Sequence, residues 1–415
     1  MVRVPTFWKH VLTVLGGALG AQALPLLAAP LITRMCTPAE LGAFSVWLGV
    51  VAVTAIGATL RMEAAMILDH EAAQQRACFR VVFYTATAAA LLVTLAALTL
   101  RLAGVPAARQ LSWGALLTIG AGTWLTACMQ TTLAYATSHN AFGKAARAKV
   151  WGAATITLAQ LALLAWGAGE AGLVAGQLVG LGAGLVAARV MLRPPAARIG
   201  WKLAPDQRAY LVKHEKFWRF SLPSNLLNAL VGQLPLFLIG MRHGALAAGL
   251  YALTQRVLAA PISLLAASVL EVFKRQSVHE FQTVGNCKQA YRHTFKALLL
   301  LGLGPALVLF LFSPQLFAWI FGAAWREAGE LAQILAPLFF LNFIASPLSY
   351  VFFVTGKQKH DLVWQVALFT MTLSVFLAPG TLHQSVLWYA IGYSGLYLVY
   401  LHMSWQCSCN RTAPA

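Results

Sequence analysis

The chain has 415 residues, of which 59% are hydrophobic and 10% charged, whereas a soluble domain carries about 25% charged residues. So little polar surface excludes a water-soluble globular fold. The net charge of +18 would suit nucleic acid, but the basic residues are placed by a different rule, described below, and no nucleic-acid partner is expected.

Stretches of roughly 18 or more apolar residues read as membrane spans, and about twelve occur. They are long, rich in Leu, Ala and Gly, and lack the two-residue alternation of barrel strands, so all are expected to be helices. The first, near 10–32, follows Phe7-Trp8-Lys9, holds Gly16, Gly17, Gly20, Pro25 and Pro30, and closes on Arg34. It is longer than the roughly 7–15 apolar residues of a signal peptide and reads as a retained span. The second, near 41–60, opens on Glu40-Leu41-Gly42-Ala43-Phe44 and closes on Arg61 and Glu63. The next four lie near 81–100, 113–136, 150–167 and 171–192. In the fourth, Thr123, Thr126 and Gln130 share a helix face; in the fifth, Thr157 and Gln160 are close to one. The sixth carries a small-xxx-small run, Gly176, Gly180, Gly184 and Ala188, with Gln177 beside it. Such a run is a packing seam between membrane helices.

The longest polar connection follows, near 193–216, basic and marked by Pro194, Pro195 and Pro205. Beyond it, the seventh span (217–240) presents Ser221, Asn225, Asn228 and Gly232 on one face and contains Pro223 and Pro235. The eighth (246–270) aligns Gly249, Ala252, Arg256, Ala259, Ser263 and Ala267 at three- or four-residue steps, with Gln255 adjacent and Glu271 at the end. A charged side chain at mid-span costs about 2.5–3.5 kcal/mol. A face of small residues lets Arg256 point into the bundle or a wet cavity rather than lipid; its role is either to meet an anion there or to pair for packing. The last four spans lie near 294–313, 331–354, 361–378 and 385–405, the largest connection on the outer side being 313–330.

With the N-terminus assigned to the cytoplasm, alternate gaps hold 24 of the 30 basic residues, among them Arg3, Lys9, Arg198, Lys202 and Arg411. The opposite gaps hold Arg34, Arg101, Arg109, Arg242 and Arg326. That asymmetry obeys the positive-inside rule, puts both termini on the cytoplasmic side, and explains the basic charge as topology and attraction to anionic membrane lipids.

Six spans on each side of the basic connection point to a duplication. Phe7-Trp8-Lys9 matches Phe217-Trp218-Arg219, and Glu40-Leu41-Gly42-Ala43-Phe44 matches Ala247-Ala248-Gly249-Leu250-Tyr251. The expected domains are therefore a lobe at 1–192, a linker at 193–216 and a lobe at 217–415. An even number of spans per half makes this a parallel repeat about an axis along the membrane normal. Gly- and Pro-interrupted spans at matching places, with Pro30 and Pro235 among them, point to moving or binding elements of a transporter, or reflect the general abundance of Gly and Pro in membrane helices.

No phosphate-binding GxxxxGK[ST] loop, HExxH pair or GxSxG elbow occurs. The six cysteines show no CxxC spacing and imply no disulfide framework. No metal or other cofactor is expected. What remains is polar groups on helix faces. Asn225, Asn228, Gln130 and Gln160 can hydrogen-bond sugar hydroxyls or glue helices together. Arg34, Arg61 and Arg256 would place positive charge at outer, inner and middle depths, a path that suits a pyrophosphate.

The segment Pro30-Leu31-Ile32-Thr33-Arg34-Met35-Cys36-Thr37-Pro38-Ala39-Glu40-Leu41-Gly42-Ala43-Phe44 resembles the N-terminal signature of the polysaccharide-transport (Wzx-type) flippases. These are a branch of the multidrug/oligosaccharidyl-lipid/polysaccharide (MOP) superfamily. Leu60–Leu68, Tyr251–Leu258 and Glu271-Val272-Phe273 are similar to the same family. The resemblance implies an all-α polytopic membrane protein, MATE-like, with about twelve helices in two six-helix lobes related by a pseudo-two-fold axis. It also implies a non-enzymatic export of undecaprenyl-pyrophosphate-linked oligosaccharide across a bacterial inner membrane, for example an O-antigen unit of lipopolysaccharide, alongside other glycan-assembly proteins. On that reading Arg256, Arg34 and Arg61 meet the pyrophosphate, and Glu63, Gln255, Glu271, Pro30 and Pro235 tune or gate the path. Glu271 departs from the neutral residue expected there. A drug antiporter of the same superfamily would want mid-span carboxylates, and a membrane glycan polymerase or ligase a large outer loop; neither feature is present in the sequence.

Overall fold

In hydrocarbon every backbone N–H and C=O must be satisfied within its own segment, so long apolar runs become helices. The computed structural model describes residues 6–69, 71–195 and 205–409, and among them there is no strand. Arg3, Arg198, Lys202 and Arg411 lie outside the described residues. The helices, in order, are α1 (Thr6–Met35), α2 (Pro38–Thr59), α3 (Met62–Met66), α4 (Ala72–Leu102), α5 (Pro106–Arg109), α6 (Trp113–Ser138), α7 (Phe142–Ala165) and α8 (Gly169–Leu192). Then come α9 (Pro205–Lys213), a π-helical turn Phe217–Ser221, α10 (Leu222–Val284), α11 (Lys288–Phe321), a 3-10 turn Ala323–Trp325, α12 (Arg326–Leu348), α13 (Val351–Val354), α14 (Gln358–Leu377) and α15 (Leu382–Cys409).

Helix α10 is interrupted at Gly244, whose φ of 86° and ψ of 176° are not helical. The break falls between the expected seventh and eighth spans, in a left-handed conformation that favours glycine. Divided there, the long helices match the twelve expected spans one for one. Eight segments among the described residues are long and apolar enough to cross a membrane by length and composition. The periphery supports the same conclusion. Leu91, Leu92 and Leu95 on α4 and Leu300, Leu301 and Leu311 on α11 are exposed, and rows of bare leucine of this extent require a partner such as lipid. One sequence expectation is corrected. The outer connection placed at 313–330 is almost wholly helical: α11 runs to Phe321 and α12 begins at Arg326, leaving Gly322 and one 3-10 turn. Pro314, within that expected connection, lies inside α11.

Two compact units are present, Met1–Gly249 and Leu250–Ala415. The first therefore includes the basic connection and the seventh span, beyond the 1–192 lobe of the sequence reading. It is centred on α6, which packs against α2, α4 and α8. Its α7–α8 seam is the small-residue run foreseen from sequence: a Cβ on Gly180 would lie 2.1 Å from Ile156 Cγ1, and one on Gly184 would lie 3.2 Å from the Cα of Gly152. In the second unit α12 packs against α11 and α15, and α14 against α15, around Phe273, Tyr291, Phe343, Phe352, Tyr397 and Tyr400.

The most crowded crossing in the first unit joins α2 to the part of α10 just after Gly244. A Cβ on Gly42 would lie 1.8 Å from Ala245 O, and one on Gly249 would lie 1.8 Å from Pro38 O. These contacts are reciprocal. Each glycine meets the carbonyl four residues before the other, and the two are the matching glycines of the repeated block. Two backbones that close together tolerate no side chain.

Candidate functional site

The resemblance-bearing segment is built as a tight corner. Helix α1 ends with Thr33 Oγ1 donating to Pro30 O (3.2 Å) and Arg34 exposed in the last turn. Only Cys36 and Thr37 separate it from α2. Thr37 caps α2 in a reciprocal box: its hydroxyl accepts from Glu40 N (3.3 Å), and Glu40 Oε2 accepts from Thr37 N (2.7 Å). The Thr-Pro-x-Glu spacing is thus explained by helix initiation, with Pro38 at the first helical position.

At the other end of α2 the chain turns through two consecutive left-handed non-glycine residues, Leu60 (φ 49°) and Arg61 (φ 60°). Such residues cost about 1–2 kcal/mol each. The turn is held by Arg61 Nη1 pairing with Glu63 Oε1 at 2.9 Å, and by Arg61 N donating to Thr59 Oγ1 at 3.3 Å. Glu63 is buried and its Oε2 has no hydrogen-bond partner. Arg61 and Glu63, each foreseen as a site residue, are therefore brought together, with one carboxylate oxygen of the pair unsatisfied.

Next to this turn lies a polar latch that sequence reasoning missed. Asp69 is 4% exposed; Lys213 Nζ sits 2.8 Å from its Oδ1, and His214 Nε2 2.9 Å from its Oδ2. Lys213 also donates to Gln74 Oε1 (2.7 Å), Gln75 Nε2 donates to the Asp69 carbonyl (3.0 Å), and Arg80 pairs with Asp206 (3.2 Å). Helix α9 is thereby fastened across the start of α4, with Tyr210 buried against Met62 and Cys78. Burial first, and the neighbouring Cys78 second, push the Tyr210 phenol well above its ordinary pKa. The partners stand 144 residues apart, so no local pattern pairs them. Asp69→Ala is expected to destabilise the fold by about 2 kcal/mol, because Lys213 loses its counter-charge and α9 its tie to the start of α4. Lys213→Met should cost at least as much, because it leaves the buried Asp69 carboxylate without its ammonium partner, whereas the half-exposed Lys213 is solvated when Asp69 is removed. Thermal unfolding of the purified variants in detergent measures both.

The remaining candidates divide. Gln160 is buried, donates to Leu173 O (3.0 Å) and lies against Gly176, so it ties α7 to α8. Thr123 pairs with Thr54 across α6 and α2 (2.7 Å), while Gln130, two turns on, is half-buried. Asn225 spends one N–H on Ser221 O one turn back (2.8 Å), and Asn228 is exposed. Pro235 is buried and Pro30 half-buried. Arg256 and Gln255 are half-buried on α10 in the second unit, and Arg256 is not without a partner. Next to Arg256, Thr254 ties α10 to α12 by donating to Ala328 O (2.7 Å). Ser263 and Ala267 of the same face lie outside the described side chains. Glu271 is exposed and pairs with Lys274 at 2.9 Å. The structure thus joins Arg61 to Glu63, leaves Arg34 at a helix end, and sets Arg256 in the other unit.

With this geometry in hand, the sequence matches the family described as polysaccharide biosynthesis protein over residues 31–330. The chain belongs to that family. No curated protein sequence matches it. Among solved structures, the fold is similar to the lipid II flippase MurJ in an inward closed conformation, with a TM-score of 0.71 at 12% identity, covering 94% of this chain and 86% of that one. It is similar to an inward-facing multidrug resistance MATE family transporter of the MOP superfamily (TM-score 0.65, 15% identity, coverage 92% and 93%). A MOP superfamily transporter from Pyrococcus furiosus is a further likeness (TM-score 0.57, 16% identity, coverage 96% and 93%). This member of the polysaccharide biosynthesis family therefore has the MOP-superfamily fold and is embedded in a membrane.

Proposed function

We propose that the protein is a flippase that moves undecaprenyl-pyrophosphate-linked oligosaccharide, an O-antigen or related surface-polysaccharide repeat unit, from the inner to the outer leaflet of a bacterial inner membrane. The observation that carries the reading is the polysaccharide-biosynthesis family match on a chain whose described residues lie mostly in long helices, eight segments being apolar and long enough to cross a membrane. A family concerned with glycan, on a chain built to cross lipid, points to glycan carried on lipid. The MOP-superfamily fold supports transport rather than bond-making chemistry.

The lipid-linked headgroup enters from the basic side, which is cytoplasmic by the positive-inside rule, and both termini lie there. Its pyrophosphate meets Arg256, whose planar guanidinium binds phosphate oxygens two at a time, with Arg34 and Arg61 toward the two exits. Half-buried amides such as Gln130, with Asn225 and Asn228, contact the sugars loosely, while the polyprenyl tail stays in lipid. The two six-span lobes, 1–192 and 217–415, move against each other in alternating access. Deletion of the gene is expected to leave lipid-linked repeat units accumulated on the inner leaflet, with their synthesis intact. Unchanged surface glycan in the deletion strain would remove the proposal.

A further inference from the structure

Helix α15 ends on Trp405-Gln406-Cys407-Ser408-Cys409, and α11 begins one residue after Cys287. Spacing along the chain implies no disulfide, yet the fold brings these three thiols together. The last turns of α15 are fastened at three points. Tyr400 donates to Asp361 Oδ1 of α14 at 2.5 Å, Tyr291 of α11 shares a hydrogen bond with Ser404 at 2.7 Å, and Cys287 N donates to Ser408 O at 3.1 Å. Paired main chains in a sheet, joined by the same kind of bond, hold facing residues about 4.5–5.5 Å apart. A disulfide spans roughly 4.4–6.8 Å between Cα atoms. Ser408 is flanked by Cys407 and Cys409, so a thiol stands on either side of the carbonyl that Cys287 grips. Cys409 acts electrostatically on both Cys287 and Tyr291, which are one turn apart, so it lies against the face of α11 that carries Cys287. Cys407 has Lys357, just before α14, as a charged neighbour. Exposure separates the three: Cys287 and Cys407 are buried in the core of the second unit, whereas Cys409 is half-exposed. Burial pushes the Cys287 thiol up to about 12, with Glu280, Cys409 and Cys407 adding to it.

We propose that Cys409 and Cys287 are an oxidisable thiol pair, in which hydrogen peroxide reaching the basic side of the membrane makes a reversible disulfide that staples the end of α15 to the start of α11. A solvent-accessible cysteine beside a resolving one is the arrangement that peroxide selects. Cys409 is the sulfur that peroxide reaches, and buried Cys287 waits as a protonated thiol. The Cys409 thiolate attacks one peroxide oxygen, the O–O bond breaks, and the departing hydroxide takes up a proton as water, leaving a sulfenic acid. The Cys287 sulfur then attacks the Cys409 sulfur, the S–O bond breaks, and hydroxide leaves as water with the Cys287 proton. Two thiols and one peroxide thus give one disulfide and two waters; the sulfurs lose two electrons and the peroxide gains them. The basic side is cytoplasmic by the positive-inside rule, a compartment that keeps thiols reduced. The dithiol is therefore the resting form, and the disulfide forms under oxidant load. The staple closes a loop that runs from α11 to α15 and so restrains most of the second unit when it unfolds. The pair is independent of the substrate carried.

The full chain, purified in detergent under reducing conditions, is treated with hydrogen peroxide, its remaining thiols are alkylated, and the digest is read by mass spectrometry. The native protein should yield a peptide pair joining Cys287 to Cys409 that dithiothreitol separates. Its thermal unfolding midpoint should rise by a few degrees on oxidation and fall back on reduction. Cys409→Ser should show neither the link nor the rise, while unfolding normally when reduced, since its half-exposed side chain changes by one atom. Cys287→Ala isolates the resolving step even where it lowers stability: Cys409 should then accumulate as a sulfenic acid that dimedone traps. Native protein in which Cys409 stops at a sulfenic or sulfinic acid, with Cys287 still a thiol, would overturn the pair, as would a link from Cys287 to Cys407 in place of Cys409. A Cys287–Cys409 disulfide that leaves thermal unfolding unchanged would overturn the staple.

Discussion

Gly42→Ala is expected to abolish recovery of folded protein, although it adds only one methyl group. The new Cβ would sit 1.8 Å from Ala245 O and 2.6 Å from Gly249 N, well inside van der Waals contact with main chain that has no rotamer to change. Overpacking costs about 1–3 kcal/mol where side chains can give way, and here only backbone is available to move, so about 3 kcal/mol or more is expected. Gly249→Ala should behave alike, because its Cβ would meet Pro38 O at the same 1.8 Å. Gly232→Ala is the control. Nothing lies within 4 Å of that Cβ, and replacing a helical glycine by alanine gains up to about 1 kcal/mol. Size-exclusion profiles after graded heating distinguish the three. Normal heat resistance in Gly42→Ala would show that the α2–α10 crossing is looser than described.

The second large effect is expected at Arg256. Arg256→Ala should stop export of lipid-linked glycan while the protein accumulates to its normal level in the membrane. The guanidinium sits mid-span on α10 and is half-buried, a position that costs about 2.5–3.5 kcal/mol to insert; removing it should ease insertion. A stability role and a transport role therefore predict opposite outcomes for protein level and for activity. Arg256→Lys should retain part of the activity, since it keeps the charge but loses bidentate contact with phosphate oxygens. Surface glycan measured per unit of membrane protein is the readout. Normal glycan in Arg256→Ala would dismiss Arg256 as the phosphate contact.

Much of the fold was legible before any coordinates. Apolar length and composition predict helices, and the break at Gly244 falls in the short polar gap between the seventh and eighth spans. The repeat detected at Gly42 and Gly249 has a physical basis: two glycines at matching places can bring two main chains into contact, and only glycine does so. The small-residue run of α8 was readable for the same reason. Contacts across long separations were not readable. Nothing near Asp69 in sequence announces Lys213 or His214, and nothing near Asp361 announces Tyr400, because helix packing sets both pairs. The site reading fared unevenly for a related reason. Amides on a helix face look the same whether they meet a sugar or a carbonyl, and Gln160 meets the carbonyl of Leu173.

The most direct test of lipid-linked glycan transport is a sidedness assay. Purified protein is reconstituted into vesicles holding undecaprenyl-pyrophosphate-linked oligosaccharide in both leaflets, and a membrane-impermeant reagent that cleaves sugars is added outside. The account predicts that the protein exposes the inner-leaflet pool, so that nearly all of the glycan becomes cleavable, while vesicles with Arg256→Ala stop at the outer half. Cleavage that halts at the outer half with the native protein would contradict the account.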